Sequence, residues 1–82
     1  MSMKFSSGFE VAAFSDLEYE GMTVEVRYNG VPVAQLNQDK GPNLCEIEIP
    51  YRFSPERQTF TFLLDEFLEA LTEAKKVLVK LG

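Results

Sequence analysis

Residues 22–36 constrain the fold of this chain more than any other segment. Met22, Val24, Val26 and Tyr28 alternate with Thr23, Glu25 and Arg27, the period-2 pattern of a strand with one apolar and one polar face. Asn29-Gly30 follows at once, a pair suited to a two-residue type I′ turn because both central residues take φ > 0. Val31-Pro32-Val33-Ala34-Gln35-Leu36 then returns, so residues 22–37 are predicted as a hairpin. A strict two-residue turn sets Tyr28 opposite Val31 and Val26 opposite Val33. Leu36 then lands on the polar side. Either a bulge near Val33-Ala34 resets the phase, or the second face is covered by something the chain does not obviously supply.

The remaining segments build around this hairpin. Phe9–Phe14 reads as a first strand, preceded by a Ser-rich terminus, residues 1–8, that frays or pairs at the sheet edge. Residues 37–43 carry every turn signal, and Cys45, Ile47 and Ile49 then alternate with Glu46 and Glu48, giving a strand with one acidic face and a cysteine acting as a small buried hydrophobe. The C-terminal third admits a single helix from Ser54-Pro55 to Leu81, but Thr59-Phe60-Thr61-Phe62 alternates β-branched and aromatic residues and is preferred as a fifth strand. Asp65 then caps a helix with Glu66 and Glu69 early and Lys75, Lys76 and Lys80 late, as the helix dipole favours. Such a helix spans about 24 Å, close to the length of a strand of about seven residues. One starting at residue 55 would overhang the sheet. Phe67, Leu68, Leu71, Ala74, Leu78 and Leu81 are its expected buried stripe, set against Val24, Val26, Val33, Ile47, Ile49, Phe60 and Phe62. The predicted fold class is α+β: an antiparallel β-meander of about five strands with one C-terminal amphipathic helix packed on one face.

Composition removes most chemistry. The 82 residues suit a single domain, 1–82, and include no histidine, no tryptophan and one cysteine. Ser-His, Cys-His and His-metal arrangements are thereby excluded within the chain, as are four-thiolate sites. The five glycines form no phosphate-cradling spacing, and no cofactor is implied. No apolar run approaches the roughly 20 residues of a membrane span, the first five residues lack a signal-peptide core, and the lone cysteine suits a reducing compartment. The expectation is a cytoplasmic protein. Asp16, Glu18 and Glu20 are the one tight carboxylate cluster. A divalent-cation site there is the remote enzymatic alternative, since the cluster lacks a ligand loop with a central glycine and a distal glutamate.

A net charge of −5, without a dense basic run, disfavours direct nucleic-acid or anionic-membrane binding; it reads first as a solvated, soluble surface and, more sharply, as one that steers toward a basic protein partner. With the helix on one sheet face, the other carries Glu10, Thr23, Glu25, Arg27, Glu46 and Glu48 beside the Asp16–Glu20 connection. Tyr19 stands among these acids with no evident core duty, so it is the first aromatic anchor to expect. The predicted partner-binding residues are Tyr19, Glu18, Glu20, Asp16, Glu25, Arg27, Glu46 and Glu48. A homodimer completing its core through Leu36, Phe9 and Phe14 is the alternative, motivated by small size and by the misphased Leu36.

Four segments also carry a resemblance: Glu18-Tyr19-Glu20 through Tyr28-Asn29-Gly30, Ala34 through Gly41, Glu46-Ile47-Glu48, and Leu64 through Ala70. Together they resemble small one-domain bacterial proteins, similar in kind to the immunity proteins that neutralise partner toxins. These motifs are a turn, a loop and a helix start. The resemblance implies a non-enzymatic protein and assigns no binding residue; charge, small size and the missing chemistry extend this to the expectation of an immunity-type inhibitor of a basic toxin.

Overall fold

The hairpin forms as its turn chemistry requires. In the computed structural model, which describes residues 2–81, Asn29 and Gly30 take φ of 50° and 83° and join β3 (Thr23–Tyr28) to β4 (Val31–Asn37). β1 (Ser2–Lys4), β2 (Phe9–Phe14) and β5 (Glu46–Glu48) complete an antiparallel sheet in the order β1-β2-β3-β4-β5, and α1 (Leu64–Leu81) packs on one face. This is the α+β meander with a C-terminal helix that the pattern predicts.

The phase conflict in the hairpin is resolved by a bulge. Tyr28 pairs with Val31 and Arg27 with Pro32, but Val26 then pairs with Ala34 and Val24 with Leu36, so Val33 is the extra residue. A bulge opposes two residues to one and shifts the later side chains by one position. Leu36 thereby joins Val24 and Val26 in the core, and Gln35 turns to the opposite face beside Glu25. The N-terminal segment pairs along the edge, with Ser2 opposite Ala12 and Lys4 opposite Glu10; Met1 lies outside the described residues. Gly8, at φ 100°, closes the β1–β2 turn where an added Cβ would stand 2.5 Å from Asn29 Oδ1, so no other residue fits without displacing that side chain.

Three expectations for the C-terminal half are corrected. Residues 59–62 form no strand. Their alternation is real in burial, because Phe60 and Phe62 turn toward the core while Thr59 and Thr61 face out, but the segment joins no ladder. Phe62 instead fills the end of the space between sheet and helix, its ring 4.8 Å from those of Phe9 and Tyr28 and 5.2 Å from that of Phe67. β1 is the strand that brings the count to five. Second, Asp65 does not cap the helix: α1 begins at Leu64, and Phe67 N–H already donates to Leu63 C=O at 3.1 Å. Asp65 sits in the first turn, where the exposed N–H groups still favour its charge. Third, the helix is rotated from the expected stripe. Ala70, Ala74, Val77 and Leu78 are buried, Phe67, Leu71 and Leu81 flank them, and Leu68 is 49% exposed. The small side chains of Ala70 and Ala74 let the helix lie close to β2 and β3.

α1 packs on β2, β3 and β4. Ile47 and Ile49, expected beneath it, are instead 44% and 55% exposed. Cys45 is half-buried, its Sγ 3.4 Å from the Pro42 carbonyl oxygen. The rotated stripe has a direct consequence for stability. Leu78→Ala, at a fully buried position, is expected to cost about 2–5 kcal/mol, whereas Leu68→Ala should lie within about 0.5 kcal/mol of wild type. Urea denaturation of the two variants checks the helix phase.

Candidate functional site

The polar face of the hairpin, expected to be open to water, is partly roofed. Residues 50–54, Pro50-Tyr51-Arg52-Phe53-Ser54, leave β5 and cross it as a strap. Pro50 has no N–H to extend the ladder, and Ser54 Oγ donates to the Val33 carbonyl at 3.2 Å, the carbonyl of the bulged residue. The Phe53 ring stands edge-on to Phe14 and to Tyr51, and Arg52 lies 4.6 Å over Phe53. Tyr51 is thus only 3% exposed.

Beneath the strap lies a layer of paired polar groups. The Tyr51 hydroxyl and Arg27 Nε both donate to the Glu25 carboxylate, and Arg27 also reaches Glu10 at 3.8 Å. Burial first, and then the bond to Glu25, push the Tyr51 hydroxyl far above its ordinary pKa. Beside it, Gln35 Nε2 donates to Asp16 Oδ2 at 2.8 Å and to Thr23 Oγ1 at 3.0 Å, Thr23 donates to the Phe14 carbonyl, and Arg52 pairs with Asp16. The Arg52 guanidinium, aided by the Glu18 N–H and Gln35, holds the Asp16 carboxyl down at about 2. A buried charge persists when such partners replace the water it has lost.

This layer corrects the expected docking face. Thr23 is 0%, Asp16 3% and Glu25 4% exposed, so none of the three is offered to a partner, and Arg27 is half-buried and engaged. The cause is the strap, which covers this face even though the bulge has already returned Leu36 to the core. Tyr51 and Gln35 carried the one available signal: an aromatic segment bracketed by Pro50 and Pro55, and a phase conflict in β4. Nothing in the sequence pairs them with Glu25 and Asp16.

The remaining predicted residues gather at the β5 end of the sheet. Glu18, Glu20, Glu46 and Glu48 are exposed and Tyr19 is half-buried. The Tyr19 hydroxyl donates to Glu48 Oε1 at 3.0 Å, joining the 15–22 connection to β5; burial and then this bond raise its pKa. The Glu20 and Gly21 N–H groups donate to Asp39 at 3.0 and 3.2 Å, and Lys40 pairs with Glu46 at 2.8 Å. Five surface carboxylates thus stand here with Lys40 and the neighbouring Arg52, while Asp16 and Glu25 are paired within the fold. Among the described residues no group of three or more acidic or cysteine side chains is placed to hold a metal ion, because Asp16, the keystone of the expected cluster, is turned to Arg52.

On the far side of Glu48 opens a cleft of about 860 Å³ between the strap and the residues leading into α1, with Val33, Ile49, Phe60, Phe62 and Phe67 on its walls and Arg57 at its margin. Among the described residues no helix is long and apolar enough to cross a membrane. No protein-family model matches the chain, and no curated protein or solved structure shows significant similarity to it.

Two outcomes follow from the buried layer. Asp16 has a folded pKa of about 2 against an ordinary 3.8, so the stability it contributes is complete above its ordinary pKa and is lost as pH falls through about 2. Asp16→Asn should flatten the dependence of the denaturation midpoint on pH in the acid range. Tyr51→Phe removes one donor to the buried Glu25 and is expected to cost about 1–3 kcal/mol in urea denaturation.

Proposed function

We propose that this chain is a non-enzymatic protein-binding module that captures a basic protein partner, as an immunity-type inhibitor captures a basic toxin. The observation that carries this reading is the division of its carboxylates. Those on the central strands and beneath the strap are engaged by Arg27, Tyr51 and Arg52, whereas Glu18, Glu20, Asp39, Glu46 and Glu48 stand together at one end, with Lys40 paired to Glu46 and with Arg52, already bound to Asp16, beside Glu18 and Glu48. Like charges in excess on one surface repel one another and favour a partner of opposite charge, chiefly by speeding encounter. Apolar Ile47, Ile49 and the adjoining cleft supply contact area beside that charge, the composition of an interface with an apolar centre and a charged margin.

A second reading, a homodimer, draws support from a different place. Phe9 and Leu36 are used within the chain and Phe14 packs on Phe53, so the residues first considered for a second copy are occupied. Leu63, Leu64 and Leu68 are 69%, 68% and 49% exposed at the start of α1, an apolar surface a second copy could cover. Sedimentation separates the two: a species of twice 9.3 kDa that Leu64→Lys returns to monomer supports the dimer.

The basic-partner reading is tested by capture from the source cell with mass-spectrometric identification, comparing wild type with a Glu18→Lys, Glu46→Lys, Glu48→Lys variant. All three positions are exposed, but Glu48→Lys gives up the bond from the Tyr19 hydroxyl, so an unchanged denaturation midpoint is required of the variant before the comparison. The expected result is a basic protein held by wild type, released by salt and not held by the variant. Identical captured proteins for both would remove the reading.

A further inference from the structure

Resting on the basic-partner reading, we infer that the partner docks by adding an extended segment to the outer edge of β5, and that this segment alternates basic and apolar residues. β5 is the terminal strand of the sheet, and among the described residues no backbone hydrogen bond reaches its outer edge. Glu46, Ile47 and Glu48 are all exposed. An unpaired strand edge is a template for another strand, with the ladder giving affinity and alternate side chains giving specificity.

The two faces of β5 state which side chains fit. Glu46 and Glu48 share the face of Asn37 and Gln35, their cross-strand partners. Glu48 accepts from the neutral Tyr19 hydroxyl with Arg52, already bound to Asp16, nearby, and Glu46 is only partly offset by the solvent-exposed Lys40. Residues opposite these on an added strand should be lysine or arginine. Ile47 shares the opposite face with Leu36 and opens on a groove of about 260 Å³ whose apolar walls are Leu36, Cys45, Ile47 and Leu71, with Asn43, Glu46 and Lys75 also lining it. Its apolar walls take an aliphatic side chain. The resulting pattern is basic, apolar, basic.

The same register argues against a second copy in this position. Two β5 strands paired antiparallel about Ile47 set Glu46 of one against Glu48 of the other, twice. Like charges directly opposite are destabilising. The site is therefore complementary to a basic strand and not to itself.

The probe is a synthetic peptide, Thr-Lys-Val-Lys-Val-Lys-Thr with blocked termini, against an isomer of equal composition, Thr-Lys-Lys-Lys-Val-Val-Thr. Each is titrated into the ¹⁵N-labelled full chain. The alternating peptide is expected to bind about tenfold more tightly than the isomer and to slow hydrogen exchange at the amides of residues 46–48. Of its two alternately N-methylated forms, one should lose binding about tenfold, because only alternate N–H groups face β5. Glu48→Gln should weaken the alternating peptide and leave the exchange of residues 9–14 unchanged. Equal binding of the isomers without protection at residues 46–48, or no binding of either, overturns strand addition. The basic-partner reading is judged separately by the capture comparison. A dimer whose residues 46–48 are already protected in the free protein also overturns it.

Discussion

The single extra residue at Val33 is the constraint from which the rest of this structure follows. Without it Leu36 would face the polar side of β4 and Gln35 the helix. With it, Val24, Val26, Ala34 and Leu36 share one face with α1, and Gln35 meets Asp16 and Thr23 on the other. The bulge also interrupts regular pairing, so the Val33 carbonyl is free to accept from Ser54 and so to tie down the strap. Because β5 pairs with β4 beyond the bulge, its own orientation is inherited: Ile47 follows Leu36, and Glu46 and Glu48 follow Asn37 and Gln35. The acidic edge is thus set by a local irregularity one strand away.

What could be read from the residues follows the range of the interactions involved. The hairpin, its turn and its bulge are determined by neighbours in sequence, and Asn29-Gly30 and the misplaced Leu36 announce them. The helix start is legible to within two residues from its charge order. Phe60 and Phe62 mislead because an alternating pattern reports which side of an extended chain is buried and says nothing about whether a partner strand lies within hydrogen-bonding distance. Leu68 misleads because hydrophobicity alone outweighed phase: Ala70 and Val77 complete the helical repeat of buried positions, and their smaller side chains made them less conspicuous. The candidate site divides the same way. Glu18, Glu20, Glu46 and Glu48 are exposed and Tyr19 is half-buried, while Glu25 and Asp16 are enclosed by Tyr51 and Arg52, residues 26 and 36 positions away. No periodicity encodes that contact.

Burying Glu25 and Asp16 is not an obvious gain in stability, since a desolvated ion pair can cost as much as it returns. The layer is better understood through its geometry. Tyr51, Ser54 and Arg52 fasten the strap at three points, on Glu25, Val33 and Asp16, and all three come from a segment with no regular structure of its own. A purely apolar underside would hold that segment as firmly but in many positions. Directed bonds to a fixed carboxylate select one, and the Tyr19 to Glu48 bond then fixes the neighbouring connection against β5.

Why the β5 edge is left bare is a matter of dimensions. Five strands about 4.8 Å apart make a sheet about 19 Å wide, whereas one helix with its side chains is about 10 Å across. A single helix therefore covers the middle of such a sheet and no more, and α1 sits on β2, β3 and β4 accordingly. On the far side of the sheet the strap covers part of the hairpin, and at one end of the core Phe62 closes the gap between Phe9, Tyr28 and Phe67. Among the described residues none covers Ile47, which stays 44% exposed. A lysine at position 47 would discourage pairing at that edge. The chain instead has isoleucine there with carboxylates on either side, the combination on which the proposed docking of a basic strand rests.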